Sequence, residues 1–256
     1  ITGWIRCYSS NGDDTTGVYS DGLIDFTIES SAPKGKFFGF AASKKLTFNV
    51  LGNIVSGRGA LVNPEIFQFG DEPIAELPFF YVDVYETADT KKTTTVTAYD
   101  GLTALAKKKK FNELQIGYPI KLGDFAEQLV ESFGYTLIDD SGIVNLLDFT
   151  IKEGEINLNG DETVYDMLVA IAEITGTVCM CSGKKGIKFK RIDATTPDDA
   201  IDKSAYFNIG IRDYITLSGV ATTTPLGDNY LAGSDNHYVQ HVVDNPLLTL
   251  RDDIVA

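Results

Sequence analysis

The sequence predicts a β-rich α+β fold, and three observations carry that prediction. Apolar and polar residues alternate with the period of a strand through the first third. The middle switches to helical spacing, in two stretches that each close on a glycine. A hairpin signature and a further strand-like segment follow. The 256 residues leave room for two or three domains. With 43% hydrophobic and 23% charged residues, the chain has enough apolar material for a packed core. Disorder is therefore not expected over most of its length.

In chain order, Ile24, Phe26 and Ile28 alternate with Asp25 and Thr27, and Leu46, Phe48 and Val50 alternate with Thr47 and Asn49. Each set describes a half-buried strand, and the intervening Ser-Ala-Pro-Lys-Gly-Lys is rich in turn residues. A third strand is expected from Phe79 to Tyr85, with Phe80, Val82 and Val84 on one face. A fourth covers Thr94 to Tyr99, rich in Thr and Val. Gly52 to Pro64 carries three glycines and a proline without periodicity, and reads as a loop.

Asp100 can cap a short helix, Gly-Leu-Thr-Ala-Leu-Ala-Lys, whose last turn is lysine-rich. Two longer helices resemble each other. Leu122, Phe125, Leu129 and Phe133 form the apolar stripe of one, and Val164, Met167, Ile171 and Ile174 that of the other. Asp124 aligns with Asp166, Glu131 with Glu173 and Gly134 with Gly176, and each helix leads into a strand, Tyr135 to Ile138 and Val178 to Cys181. Ser182-Gly-Lys-Lys-Gly then turns into Ile187-Lys-Phe-Lys-Arg-Ile, a β-hairpin. A Pro- and Asp-bearing linker from about Thr195 leads to Ala205–Ala256, strand-like in Ile211–Ser218 and Tyr238–Asp244.

The charge narrows the function. Lys plus Arg total 22 and Asp plus Glu 36, a net charge of −14. So acidic a surface repels phosphate backbones and anionic lipids, which argues against tight nucleic-acid binding. No apolar run reaches the roughly 18 residues of a membrane span. The opening Ile-Thr-Gly-Trp-Ile-Arg lacks a basic start and a long apolar stretch, so no secretory signal is expected there. Since residue 1 is not Met, a trimmed or processed form of a longer chain fits the sequence.

Candidate chemistry is sparse. Cys179 and Cys181 sit two apart on a strand and point the same way, a poor geometry for a disulfide, and no further ligands complete a metal site. They read as small packing residues. His237 and His241 have the i, i+4 spacing of a zinc helix, but Tyr238-Val-Gln stands where the glutamate of a metalloprotease would be. Surface or interface histidines are the plainer reading. Ser56-Gly-Arg-Gly lacks the lysine and helix of a phosphate-binding loop. Asp139-Asp140, Asp198-Asp199 and Asp252-Asp253 are adjacent pairs in turn contexts, unlike carboxylates that converge on a scissile bond. The run Lys107 to Lys110 fits a helix C-terminus better than a nucleic-acid patch, because no aromatics are interleaved. No catalytic, cofactor-binding or metal-binding residue is therefore assigned, and no cofactor is expected.

Four stretches in one order resemble the hub proteins of tailed bacteriophages and prophages, whose prototype is the baseplate hub of contractile phages. They are Ile24-Asp-Phe-Thr-Ile-Glu-Ser with Gly39-Phe-Ala-Ala-Ser-Lys-Lys-Leu-Thr-Phe-Asn-Val, Thr97-Ala-Tyr-Asp-Gly-Leu-Thr-Ala-Leu, Tyr118-Pro-Ile-Lys-Leu-Gly-Asp-Phe-Ala-Glu-Gln-Leu, and Asn159-Gly-Asp-Glu-Thr-Val-Tyr-Asp-Met-Leu-Val-Ala-Ile-Ala-Glu-Ile-Thr-Gly with the Gly186-Ile-Lys-Phe-Lys hairpin. The resemblance implies tube-like β-barrel or sandwich domains with an inserted small α/β module. Residues 1–96 would form the first tube-like domain, 97–198 the module with its two helix–strand units, and 199–256 the incomplete start of a second tube-like domain. It further implies a homotrimeric ring at the tip of a virion's tail tube, assembled in the bacterial cytoplasm. The expected partners are the tube, the distal tail or spike, and tape-measure-type proteins. DNA would pass through the channel without being gripped, a role a negative lumen suits. The chain is expected not to be an enzyme. A peptidoglycan hydrolase or endopeptidase, as in the lysin-type tail proteins that carry such a domain beyond the hub, is the alternative, and a carbohydrate-binding module is another.

Overall fold

The computed structural model describes residues 2–8, 12, 15–19, 22–30, 32–33, 36, 38–52, 57–67, 73, 76–88, 92–138, 150–156, 158, 160–191, 219–224 and 227–232. Eight strands open the chain: β1 (Thr2–Tyr8), β2 (Thr15–Tyr19), β3 (Leu23–Ser30), β4 (Phe40–Ala42), β5 (Lys44–Leu51), β6 (Leu61–Phe67), β7 (Phe80–Ala88) and β8 (Thr93–Asp100). Seven of them build one antiparallel sheet in the order β2-β1-β6-β7-β8-β5-β3.

Much of the alternation seen in the sequence becomes the inner face of that sheet. The register shifts at Leu23/Asp25 and Val82/Val84 put Ile24 and Val84, expected on the apolar faces, outside at 51% and 46% exposure. Leu46, Phe48 and Val50 of β5 are buried, with Val96 and Ala98 of β8, Phe80 and Val82 of β7, and Ile5 and Cys7 of β1. One sheet can bury one face only against something, and here it buries that face against itself. Phe26 on edge strand β3 lies so close to β1 that a Cβ on Gly3 would come within 2.5 Å of its ring. Tyr19 of β2 faces Phe48 of β5 with ring centroids 6.2 Å apart. Strands far apart in the ladder thus meet across the core, so the sheet folds into a sandwich-like roll. Irregular register at Cys7/Tyr8, Leu23/Asp25 and Val82/Val84 supplies local bends. Edge strands β2 and β3 do not pair with each other among the described residues, so no ladder closes the roll into a barrel.

Gly52 to Pro64 is not all loop: Leu61–Pro64 belongs to β6. Its period is hidden because Leu61 through Glu65 are all buried, on both faces of the strand. Pro64 pairs with Ile5 of β1, while β7 pairs with β6 only at Leu61 and Val62. Proline therefore sits past the regular ladder with β7, where its missing N–H is tolerated. The Asn63 side chain extends the contact there, donating to the Leu77 and Pro78 carbonyls at 2.7 and 3.0 Å.

The helical middle forms a second layer. A one-turn π-helix (Leu102–Ala106) and a short 3₁₀ turn (Phe111–Glu113) precede β9 (Ile120–Lys121), α1 (Leu122–Glu131), β10 (Thr136–Ile138) and β11 (Thr150–Ile151). Then come α2 (Val164–Thr175), β12 (Thr177–Ser182) and β13 (Gly186–Arg191). Each longer helix runs into a strand, α1 into β10 and α2 into β12. Leu122, Phe125 and Leu129 of α1 and Val164, Met167 and Ile171 of α2 are buried in a common core, with Phe133 and Ile174 at its rim. Gly134 and Gly176, which follow the helices, take positive φ of 80° and 65°, the left-handed conformation that glycine adopts freely. The four-stranded sheet runs β10-β13-β12-β4, with parallel pairs β10–β13 and β12–β4 flanking the antiparallel β12–β13 hairpin. Strand β4, from the first third of the chain, is thus built into the second sheet, and β8 runs on past residue 96 to Asp100.

The units differ at their starts. Thr163 and Asp166 form a reciprocal capping box on α2, whereas α1 has no side-chain cap. Thr163→Ala is expected to lower stability by about 1 kcal/mol in chemical denaturation. Farther on, β14 (Gly219–Thr224) and β15 (Gly227–Ala232) pair as a separate antiparallel hairpin. The strands expected at Ile211–Ser218 and Tyr238–Asp244 lie outside the described residues.

Candidate functional site

Two surfaces and one buried junction are the places where this architecture can act. The junction is centred on Asp100, the last residue of β8, which is fully buried where the roll meets the helical layer. Its carboxylate accepts from the Lys44 backbone N–H at 2.7 Å and from the Thr103 N–H at 3.2 Å. The second of these bonds caps the π-helix, as the sequence suggested. The first is non-local: Lys44 is where the chain crosses from β4 of one sheet into β5 of the other. The Cys181 thiol of β12 lies near enough to the same carboxylate for the two to influence each other. One side chain therefore joins the end of β8 to the crossover and to the helix start.

The surroundings of Asp100 are apolar or weakly polar. Burial pushes its carboxyl above the ordinary range, against the opposing pull of the Lys44 and Thr103 N–H groups, the thiol and the Lys44 charge. Burial likewise raises the Cys179 and Cys181 thiols, so both stay protonated and shielded from solvent. Tyr135 packs over Gly101 so closely that any Cβ there would overlap its ring. Its hydroxyl is buried without a protein hydrogen bond of good geometry, although Tyr81 lies near enough for the two phenols to influence each other.

A second contact reinforces the junction. The β12–β13 turn reaches the outer side of the large sheet, where Phe79 N–H donates to the Lys184 carbonyl at 3.1 Å. The Lys184 ammonium lies 5.2 Å from the centre of the Tyr8 ring, and Tyr8 and Phe79 meet edge to face.

The outward face of β8, β5 and β3 carries polar rows, with exposed Val84 of β7 beside Thr97. Thr27, Thr47 and Thr97 stand in one cross-strand row. In the next row Asn49 donates to Asp25 at 2.6 Å and accepts from Thr95 at 2.6 Å. Exposed Glu29 faces Lys45 at 3.6 Å at one end of this surface. On the other half of the roll, Arg6 makes a bidentate pair with Glu65 at 2.8 and 2.7 Å beside half-exposed Trp4.

Cys179 and Cys181 are free and point together into the helix-side core, as packing residues do. The lysine run sits at the end of the π-helix, with Lys107 over the Tyr165 ring at 4.5 Å, Lys109 near Glu113 at 3.8 Å and Lys110 near Asp161 at 3.3 Å. Arg58 of the glycine-bearing loop pairs with Asp83 at 3.1 Å. His237, His241, Ser56 and the three aspartate pairs lie outside the described residues. Among the described residues no group of three or more His, Cys, Asp or Glu side chains is arranged to hold a metal. No described helix is long and apolar enough to cross a membrane.

Over nearly its whole length this arrangement superposes on solved structures. It is similar to the 43 kDa tail protein of prophage MuSo2 from Shewanella oneidensis, with a TM-score of 0.55 at 12% identity over 95% of this chain and 71% of that one. The chain has the fold of prophage tail proteins. The tail protein from Neisseria meningitidis MC58 gives a TM-score of 0.56 at 13% identity, over 98% of this chain and 73% of that one. Prophage tail protein gp18 from Listeria monocytogenes EGD-e gives 0.50 at 13% identity, over 90% and 67%. No family model matches the sequence, and no curated protein is similar to it in sequence. The tail-protein fold is therefore carried by architecture, with identities too low to transfer individual residues.

Proposed function

We propose that the chain is a structural component of a phage or prophage tail: a hub that forms a homotrimeric ring at the tip of the tail tube, joins it to the distal tail or spike, and lets DNA pass. The observation that carries this reading is the fold shared with prophage tail proteins over 95% and 98% of the chain. Three physical features support it. The roll leaves β2 and β3 as free edges among the described residues, each with backbone groups that a neighbouring strand can pair. Asp25 and Glu29 on β3 discourage indiscriminate pairing along one of those edges. A net charge of −14 suits a wall that DNA must slide past without sticking.

In this reading the roll, ending at Asp100, is the first tube-like domain. The α/β module occupies the 97–198 region and borrows β4 as its edge strand, and 199–256 opens a second tube-like domain. Electron microscopy of the chain mixed with its tail-tube protein tests the proposal. Rings with a central channel capping tube ends are expected. Tubes left bare while the chain stays dispersed would refute it.

A further inference from the structure

We propose that the outer face of the roll at Trp4, Arg6, Val18 and Glu65 is a carbohydrate-binding site that takes neutral sugar rings. This concerns one patch of the roll and stands whether or not the tail role is correct.

Trp4 is the chain's one tryptophan, and it lies on the outward side of β1, 36% exposed. Strand alternation puts Arg6 on the same side, and the ladder sets Glu65 opposite Trp4 and Val18 opposite Arg6. Val18 is 43% exposed. The indole is not loose: it lies against buried Phe67, with ring centroids 4.6 Å apart and planes at 47°. Nor is the guanidinium, whose Nε and Nη2 donate to Glu65 Oε1 and Oε2 at 2.8 and 2.7 Å. A fixed aromatic plate thus stands beside a fixed pair of planar polar groups.

Each part matches one feature of a pyranose ring. The C–H groups of a sugar make an apolar face with a slight positive charge, which the electron-rich face of an indole attracts. Sugar hydroxyls both donate and accept. Glu65 supplies carboxylate oxygens as acceptors, and the N–H groups of Arg6 outside the ion pair supply donors. Both side chains remain reachable, Arg6 at 29% and Glu65 at 11% exposure. Because their pair is already formed, binding orders no further long side chain. Arg6 and Glu65 also cancel each other's charge, so the site favours a neutral ligand, and the chain's net charge of −14 disfavours an anionic one.

The extent of the patch selects the ligand further. On β6 the outward Asn63 and Phe67 are buried, and along β1 Tyr8 is buried beneath the Lys184 ammonium. Among the described residues, what stays open around Trp4 is an island formed by these few side chains. A stable protein interface takes roughly 800 Å² from each partner, more than such an island offers. One or two sugar rings match its size.

Trp4 reports its own occupancy, because no other tryptophan contributes to the emission. The test is fluorescence titration of the full chain with maltohexaose, cellohexaose and chitohexaose, with oligogalacturonate as the anionic counterpart. A saturable shift in emission is expected with at least one neutral oligosaccharide and none with oligogalacturonate. Arg6→Met should weaken binding by roughly tenfold or more, and calorimetry should show a similar loss in Trp4→Ala. Far-UV circular dichroism checks that both variants fold. Val18→Glu, which sets a charge beside the indole, carries the test if either does not. Tyr85→Ala, at an exposed aromatic on β7, should bind as the parent does. The proposal is overturned if no neutral oligosaccharide shifts the emission at roughly 10 mM, tenfold above a millimolar dissociation constant. It is equally overturned if oligogalacturonate binds as tightly, or if Tyr85→Ala weakens binding as much as Arg6→Met. Emission that follows protein concentration instead of sugar would mark the patch as a contact between copies and overturn it too.

Discussion

Phe48→Ala is expected to destabilise the chain by about 3–5 kcal/mol, one of the two largest single-residue effects in the molecule. Phe48 is 1% exposed at the middle of β5, between the ladders to β3 and β8. Its ring occupies the space where the two halves of the bent sheet meet, opposite Tyr19. Deleting it removes apolar area from both halves and leaves a cavity that the paired strands cannot collapse to fill. The measurement is the denaturant midpoint and slope of the variant against the parent. A change below about 1 kcal/mol would mean that the halves do not pack against each other as described.

Phe125→Ala should cost a similar amount, about 3–5 kcal/mol, but in the other core. Phe125 is fully buried on α1, edge-on to Phe111 with ring centroids 5.9 Å apart, in the cluster that α2 and the small sheet complete. Because the two cores are distinct clusters, the variants should differ in where they loosen. Exchange protection should fall first in β12 and β13 for Phe125→Ala, and first in β5 and β8 for Phe48→Ala. Identical patterns in both would show one cooperative unit with no meaningful seam.

How far the fold could be read from sequence depended on burial. β3, β5, β7 and β8 were legible because each has one wet face, so Leu46, Phe48 and Val50 stand out against Thr47 and Asn49. β6 was not, because Leu61 to Glu65 are buried on both faces and a proline sits among them. β1 was hidden for a related reason: outward Trp4 and Tyr8 are as apolar in composition as inward Ile5 and Cys7. β4 has three residues, too few for any period, and its place in the second sheet is a tertiary fact. The helices were the clearest feature, since apolar stripes and terminal glycines both survive in a single sequence.

The junction was legible only in part. Asp100 could be recognised as a helix cap because Thr103 lies three residues on. Its bond to Lys44 crosses 56 positions of chain, and no local pattern announces it. Gly101 looked like any turn glycine, yet it is the position that lets the Tyr135 ring approach the end of β8. Cys179 and Cys181 pack in the helix-side core as their strand spacing implies, and nothing in that spacing points to the carboxylate near them.

The central claim is that this chain works by assembling, through the surfaces of its bent sheet, into a tail structure. Light scattering of the purified full chain across a concentration series tests it most directly. The account predicts a discrete species of three times the chain mass that persists on dilution into the working range. A mass of one chain at every concentration, unchanged when the tail-tube protein is added, would contradict it.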